Sequence, residues 1–160
     1  MTRKTGIFVA VLAALILTAG ASLAQSGHFL SGGRNAPQCL DIGTQVTCSG
    51  AVAGLGGTTF EITIEAAGIA EVECTNPGGN VAPGQDTSVT VAGSTDPLPT
   101  PKNGRYNFSI TSDSPDPLPP TPTCPNAAWT ANVVDVQFTT ATLSLFEDGV
   151  LSDQVEVAVH

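Results

Sequence analysis

Positive charge is what this chain has least of: five Lys and Arg stand against fourteen Asp and Glu, a formal net charge of −9. Only Arg34, Lys102 and Arg105 lie beyond the first two dozen residues. So acidic a chain does not neutralise a phosphate backbone, which excludes nucleic acid and anionic membrane surfaces as partners and makes any partner chosen by charge a cationic one. Histidine is nearly as scarce. His28 and His160 sit near opposite ends, in segments expected to fray, so neither offers a positioned base for Ser-His-Asp or Cys-His chemistry, and no His/Cys cluster is spaced for zinc. Aromatics make up 5% of the chain, and Trp129 and Tyr106 fall on alternating positions that read as core, which leaves no flat platform for sugars. The Gly-rich stretch Asn76 to Gln85, NPGGNVAPGQ, lacks the Lys, the Ser/Thr and the following helix of a phosphate cradle and reads as two successive turns.

Apolar runs of membrane-spanning length are missing too. The run from Ile7 to Leu17 falls short of the ~20 residues a spanning helix needs, but it completes an export signal: Arg3 and Lys4 precede it, and Ser22 and Ala24 stand where a signal peptidase reads. We expect residues 1–24 to be a cleaved signal peptide, 25–38 a flexible N-terminal segment, and 39–160 a single domain. Cleavage removes Arg3 and Lys4 and moves the charge from −9 to −11. The expected product is secreted and extracellular, with no stable membrane insertion after cleavage.

The rest is written in period two. Val46, Cys48 and Val52; Phe60, Ile62 and Ile64; Ala70, Val72 and Cys74; Val89 and Val91; Tyr106, Phe108 and Ile110; Trp129, Ala131 and Val133; Leu143 and Leu145; and Val155, Val157 and Val159 alternate with polar or small residues. About eight strands separated by Gly, Pro, Asn and Asp predict an all-β protein, an antiparallel β-sandwich of immunoglobulin-like type. Apolar positions move from odd (Trp129, Ala131, Val133) to even (Val134, Val136, Phe138), which predicts a bulge near Val133. Glu147-Asp148-Gly149 predicts a hairpin turn.

Four cysteines in an exported chain predict two disulfides, for which three pairings are open. If each run is a strand and consecutive strands alternate in direction, Cys48 and Cys74 end up too far apart along the strand axis for the ~7 Å limit between Cα atoms. Cys124, in the loop from Ser112 to Ala128, returns to the end where Cys74 sits. The expected bonds are Cys74 to Cys124 and Cys39 to Cys48.

The prolines lie between strand candidates, and two loops share a tetrapeptide, Asp96-Pro97-Leu98-Pro99 and Asp116-Pro117-Leu118-Pro119. Such segments favour extended polyproline geometry, which makes them stiff spacers and candidate interaction loops. Glu61, Glu65, Glu71 and Glu73 fall on the wet face of their strands, which leaves no buried carboxylate pair for glycoside hydrolysis. Asp86, Asp113 and Asp116 are the carboxylates placed to converge on calcium, but no loop has the regular Asp spacing of a dedicated site.

Three stretches, CTNPGGNVAPGQ from Cys74 to Gln85, KNGRYNFSI from Lys102 to Ile110 and CPNAAWTANVVDVQFTTATLSLFEDG from Cys124 to Gly149, resemble small secreted proteins of actinobacteria and related bacteria. The resemblance implies bacterial export and paired cysteines, and carries no activity or functional residue. The expected function is therefore that of a non-enzymatic secreted sandwich acting as a cell-surface, matrix or interaction module, with no cofactor and no metal, whose partner is an extracellular protein or cell-envelope component. A small-ligand carrier with a cleft in the sandwich is the alternative.

Overall fold

Alternation between apolar and polar residues becomes ten strands in the computed structural model, which describes residues 26–115 and 117–160. The expected signal peptide lies outside the described residues. The strands are β1 (His28–Phe29), β2 (Gln38–Asp41), β3 (Val46–Ala53), β4 (Thr59–Thr75), β5 (Val81–Pro83), β6 (Thr87–Ser94), β7 (Leu98–Pro99), β8 (Tyr106–Thr111), β9 (Thr130–Glu147) and β10 (Val150–Ala158). One 3-10 turn at Gly33–Asn35 interrupts them, and no helix among the described residues is long and apolar enough to cross a membrane.

In the first sheet β3 is central, with β1 and β2 end to end on one side and β8 on the other. In the second the order is β10-β9-β4, and β5, β6 and β7 share the far side of β4. The chain makes a hairpin in the first sheet, crosses to β4 and β6, returns for β8 and crosses again for β9 and β10. That path is the Greek-key order of an immunoglobulin-like sandwich. The core between the sheets is filled by Phe60, Ile62, Ile64, Val46, Val52, Leu143 and Leu145, each at most 1% exposed.

Two expected runs on either side of Ala66 and Ala67 prove to be one strand of 17 residues, and the runs from Thr130 to Glu147 one strand of 18. Small residues stand between the two runs, and Ala66 among them is buried in the same inward phase as Ile64 and Ala70. The phase change near Val133 is the expected bulge. Opposite Glu71 and Val72 the partner steps from Asp135 to Val133, which leaves Val134 unpaired and exposed. A second bulge at Thr139 restores the odd phase, since Ala67 faces Thr140 and Gly68 faces Phe138.

Both disulfides pair as expected. Strand direction is not what keeps Cys48 from Cys74, because the two runs lie in β3 and β4, strands of opposite sheets that follow one another directly. Length is what separates them. Cys48 pairs with Ile110, and Thr111 abuts Gly93, the partner of Ile64; beyond Ile64, β4 runs on for roughly 30 Å at ~3.3 Å per residue before it reaches Cys74. Cys39 and Cys48 are directly opposite in adjacent strands, with Cα atoms 4.1 Å apart. That is the close spacing of a pair without ladder hydrogen bonds. Cys74 holds Cys124, whose loop lies over the lower half of the second sheet. Leu118 bridges Ala131 there, and Gln85 N–H donates to Thr123 carbonyl at 2.9 Å.

The segment 25–38, expected to be flexible, is built into the fold from Ser26 onward. β1 pairs with β3, and Phe29 is buried edge-on against Phe108. The C-terminus is held likewise, with His160 N–H donating to Cys39 carbonyl and Asp41 N–H donating to His160 carbonyl. Neither histidine therefore frays. Pattern reading missed this because a two-residue strand carries no period.

Closure of 50 residues by Cys74–Cys124 and of 9 by Cys39–Cys48 constrains the unfolded chain to different degrees. Ser replacement of the first pair is expected to lower stability by roughly 4 kcal/mol and of the second by roughly 3 kcal/mol. Urea midpoints of the two double variants check the order.

Candidate functional site

The β9–β10 turn gathers the molecule's most elaborate polar arrangement. Val150 pairs with Glu147, so Asp148 and Gly149 alone form the turn, both at positive φ (48° and 79°), as a type I′ hairpin requires. Glu147 continues the inward phase of Leu143 and Leu145, which buries its carboxylate completely. Gly56 N–H donates to Oε1 at 2.6 Å, Gly57 N–H to the same oxygen at 3.2 Å, and Gly27 N–H to Oε2 at 2.9 Å. A bulge at Ser152 turns its hydroxyl to within 2.7 Å of Oε2 and 2.8 Å of the Gly27 carbonyl. A Cβ at Gly27 would stand 2.7 Å from Oε2, so only glycine allows this approach.

Asp148, outside, gathers the next residues of the same loop. Its Oδ1 accepts from Thr58 Oγ1 at 2.6 Å, Thr58 N–H at 3.0 Å and Thr59 N–H at 2.9 Å. Asp153 adds a third contact, accepting from Phe29 N–H at 2.8 Å. Three carboxylates of one hairpin thus tie down the N-terminal strand and the β3–β4 loop. Burial pushes the Glu147 pKa up, but the N–H groups of Gly56, Gly27 and Gly57 and the Ser152 hydroxyl outweigh it and hold the carboxyl below its ordinary value. The Thr58 hydroxyl, with the Thr59 and Thr58 N–H groups, brings Asp148 down to about 2. Each oxygen that could take a proton from a substrate is occupied by the protein's own donors. Chemically, the arrangement is a clasp.

The expected glutamates lie apart from it. Glu65, Glu71 and Glu73 are exposed on the outer face of β4, where Glu61 accepts from the Ser94 hydroxyl. Glu156 of β10 continues the row of Glu65 through Thr142. Arg34, Lys102 and Arg105 all lie outside this sheet. The face formed by β6, β4, β9 and β10 therefore carries one sign of charge.

Neither tetrapeptide loop is free along its length. Leu98–Pro99 is β7, paired with Thr59 and Phe60, and Leu98 packs on the core. Asp96 adopts positive φ (55°) and remains exposed with Pro97. In the second loop Leu118 packs on the core beside its bridge to Ala131, Pro117 and Pro119 are exposed, and Asp116 lies outside the described residues. Each leucine anchors its loop, which leaves the prolines of both loops and Asp96 of the first exposed. Among the described residues no three His, Cys, Asp or Glu gather as metal ligands. Concave places occur on the surface, beside Ile69 and Thr90, beside Glu65 and Asp113, and beside Pro83 and Pro122.

The clasp was missed from the sequence because Glu147 was read only as part of a turn. Its parity with Leu143 and Leu145 was the available signal.

No family model matches the chain, and no curated protein matches it. Among solved structures the chain is similar to a calcium-binding mutant of Bacteroides uniformis beta-glucuronidase 2, at 15% identity and a TM-score of 0.30, over 82% of this chain and 14% of that one. The chain thus spans about a seventh of that protein's length, and a likeness at this level carries no argument about activity.

Replacing Glu147 by Gln puts an amide donor against the N–H groups that the carboxylate satisfied. A loss of about 1 to 3 kcal/mol is expected, read as a lower urea midpoint. Both Glu147 and Asp148 have folded-state pKa values below their ordinary 4.5 and 3.8. Their contribution is therefore full above those ordinary values and is lost as pH falls through the depressed ones. Stability should decline as the pH is lowered from about 4.5 towards about 2, and with a shallower slope in E147Q, when urea midpoints are followed against pH.

Proposed function

We propose that the chain is an exported, non-enzymatic interaction module that meets a cationic extracellular protein or envelope component through the outer face of its second sheet. The observation that carries this reading is the distribution of charge. Glu61, Glu65, Glu71, Glu73 and Glu156 share a four-strand face, and the basic residues Arg34, Lys102 and Arg105 all lie elsewhere. A one-signed face on a rigid sheet steers oppositely charged partners and rejects like-charged ones. The buried carboxylate is committed to holding the fold, which agrees with a role in binding rather than turnover.

Two disulfides fit an oxidising compartment, and the acidic composition suits life outside the cytoplasm. The alternative of a small-ligand carrier needs a cleft opening between the sheets. The space there is taken by Phe60, Ile62, Ile64, Leu143 and Leu145, so the geometry favours the interaction module.

The test is binding of the purified mature chain to envelope material from its producing cell, at low and high salt. Binding is expected to fall steeply with salt, and Gln replacement of Glu61, Glu71 and Glu73 together should weaken it by roughly tenfold at low salt without moving the urea midpoint. Equal binding by variant and parent would remove the charged face from the account.

A further inference from the structure

The two seams of the sandwich are finished differently. On one side β2 and β10 are bridged through Cys39, Asp41 and His160, and Phe29 N–H reaches Asp153. On the other, the end of β8 meets β6 through the bond from Asp113 N–H to Ala92 carbonyl at 2.7 Å. Exposed sheet edges are normally blunted by proline, charge or a bulge, because unpaired backbone groups recruit other strands. β5 and β7 carry Pro83 and Pro99, and β10 carries the Ser152 bulge. β6 has none of these: Thr87–Ser94 reads TSVTVAGS.

Its register fixes which backbone groups are free. Val89, Val91 and Gly93 face Gly68, Ala66 and Ile64 of β4, and Thr95 N–H donates to Ile62 carbonyl. Alternation then points the N–H and C=O groups of Ser88, Thr90 and Ala92 off the sheet, as the Ala92 to Asp113 bond illustrates. Among the described residues the backbone groups of Ser88 and Thr90 have no backbone partner outside the ladder. Carboxylates flank this open stretch. Asp86 is exposed just before it, and Asp113 and Glu65 line a shallow depression with Gly93 and Ser94 at its other end.

We propose that β6 is the docking edge of the interaction module. An extended, basic segment of a partner protein adds as a strand beside Ser88 and Thr90, with Lys or Arg side chains set against Asp86 at one end and Glu65 and Asp113 at the other. This rests on the cationic-partner reading above and says where and how that partner is held. Charge decides against a second copy as occupant. Two-fold pairing of β6 with itself would bring like carboxylates together on chains that each carry −9. The comparable edge of β8, where Asn107 and Ser109 face outward by the same alternation, is headed by Arg105 and does not suit a basic segment.

The probe is a capped peptide of alternating Lys and Val, titrated into the isotope-labelled mature protein. The controls are its Glu-Val counterpart and a Lys-Val peptide N-methylated at alternate residues, which keeps the charge and cannot pair. The Lys-Val peptide should shift the Ser88, Thr90 and Ala92 amides and slow their hydrogen exchange by roughly tenfold or more, and both controls should fail to do so. T90P, which removes an outward N–H, should abolish this protection, and S109P on β8 should leave it intact. Should T90P not fold, the methylated and unmethylated peptides on the parent protein still decide. Equal effects of those two peptides would overturn strand addition while leaving the charged face standing. Self-association through β6 in equilibrium sedimentation would also overturn it, since the edge would then belong to a second copy.

Discussion

Pairing between β4 and β9 sets the terms for everything else in this molecule. The two strands run together from Phe60 and Glu147 at one end to Thr75 and Thr130 at the other, and the facing sheet covers only the upper part of the surface they create. Apolar side chains on the overhang, among them Val72, Val133 and Ala131, still have to leave water. The chain covers them with a loop rather than a strand, and a loop needs fastening. Leu118 and the Cys74–Cys124 bond supply it. Few aromatics and an irregular cover make a modest core, which is why crosslinks matter here.

At the opposite end the same two strands close in the type I′ turn, and polar groups do the fastening. The N–H groups of Gly27, Gly56 and Gly57 lie outside the ladders, the first of them buried, and are satisfied by one carboxylate. Sulfur below and carboxylates above thus attach the irregular parts of the chain to one long ribbon. The outer face of that ribbon takes no part in either fastening.

Fold class was legible because strands with one wet face repeat every second residue, and the turn at Asp148-Gly149 carries its own conformational signature. The cysteine pairing was also reached, by an argument whose premise of short consecutive strands was mistaken. Ala66 and Gly68, between the runs that end at Ile64 and begin at Ala70, hide the continuity of β4, since small inward residues carry a weak periodic signal. The role of Glu147 was hidden for a different reason. Its donors come from Gly27 and from residues 56 and 57, far away in sequence and supplied by backbone, which no side-chain motif records. The open edge of β6 is likewise a property of neighbours, invisible until the sheet order is known.

The bulges at Val134, Thr139 and Ser152 make the longest hairpin a phased object. Each single extra residue exchanges lining for surface in the stretch that follows, and the one at Thr139 undoes the switch at Val134. Loss of either bulge in β9 would turn Leu143 and Leu145 outward or reverse the stretch before them, and loss of the one at Ser152 would do the same to Val155 and Val157. Changes of length in this chain therefore belong outside the paired strands, and a one-residue deletion inside β9 would be as damaging as the removal of a crosslink.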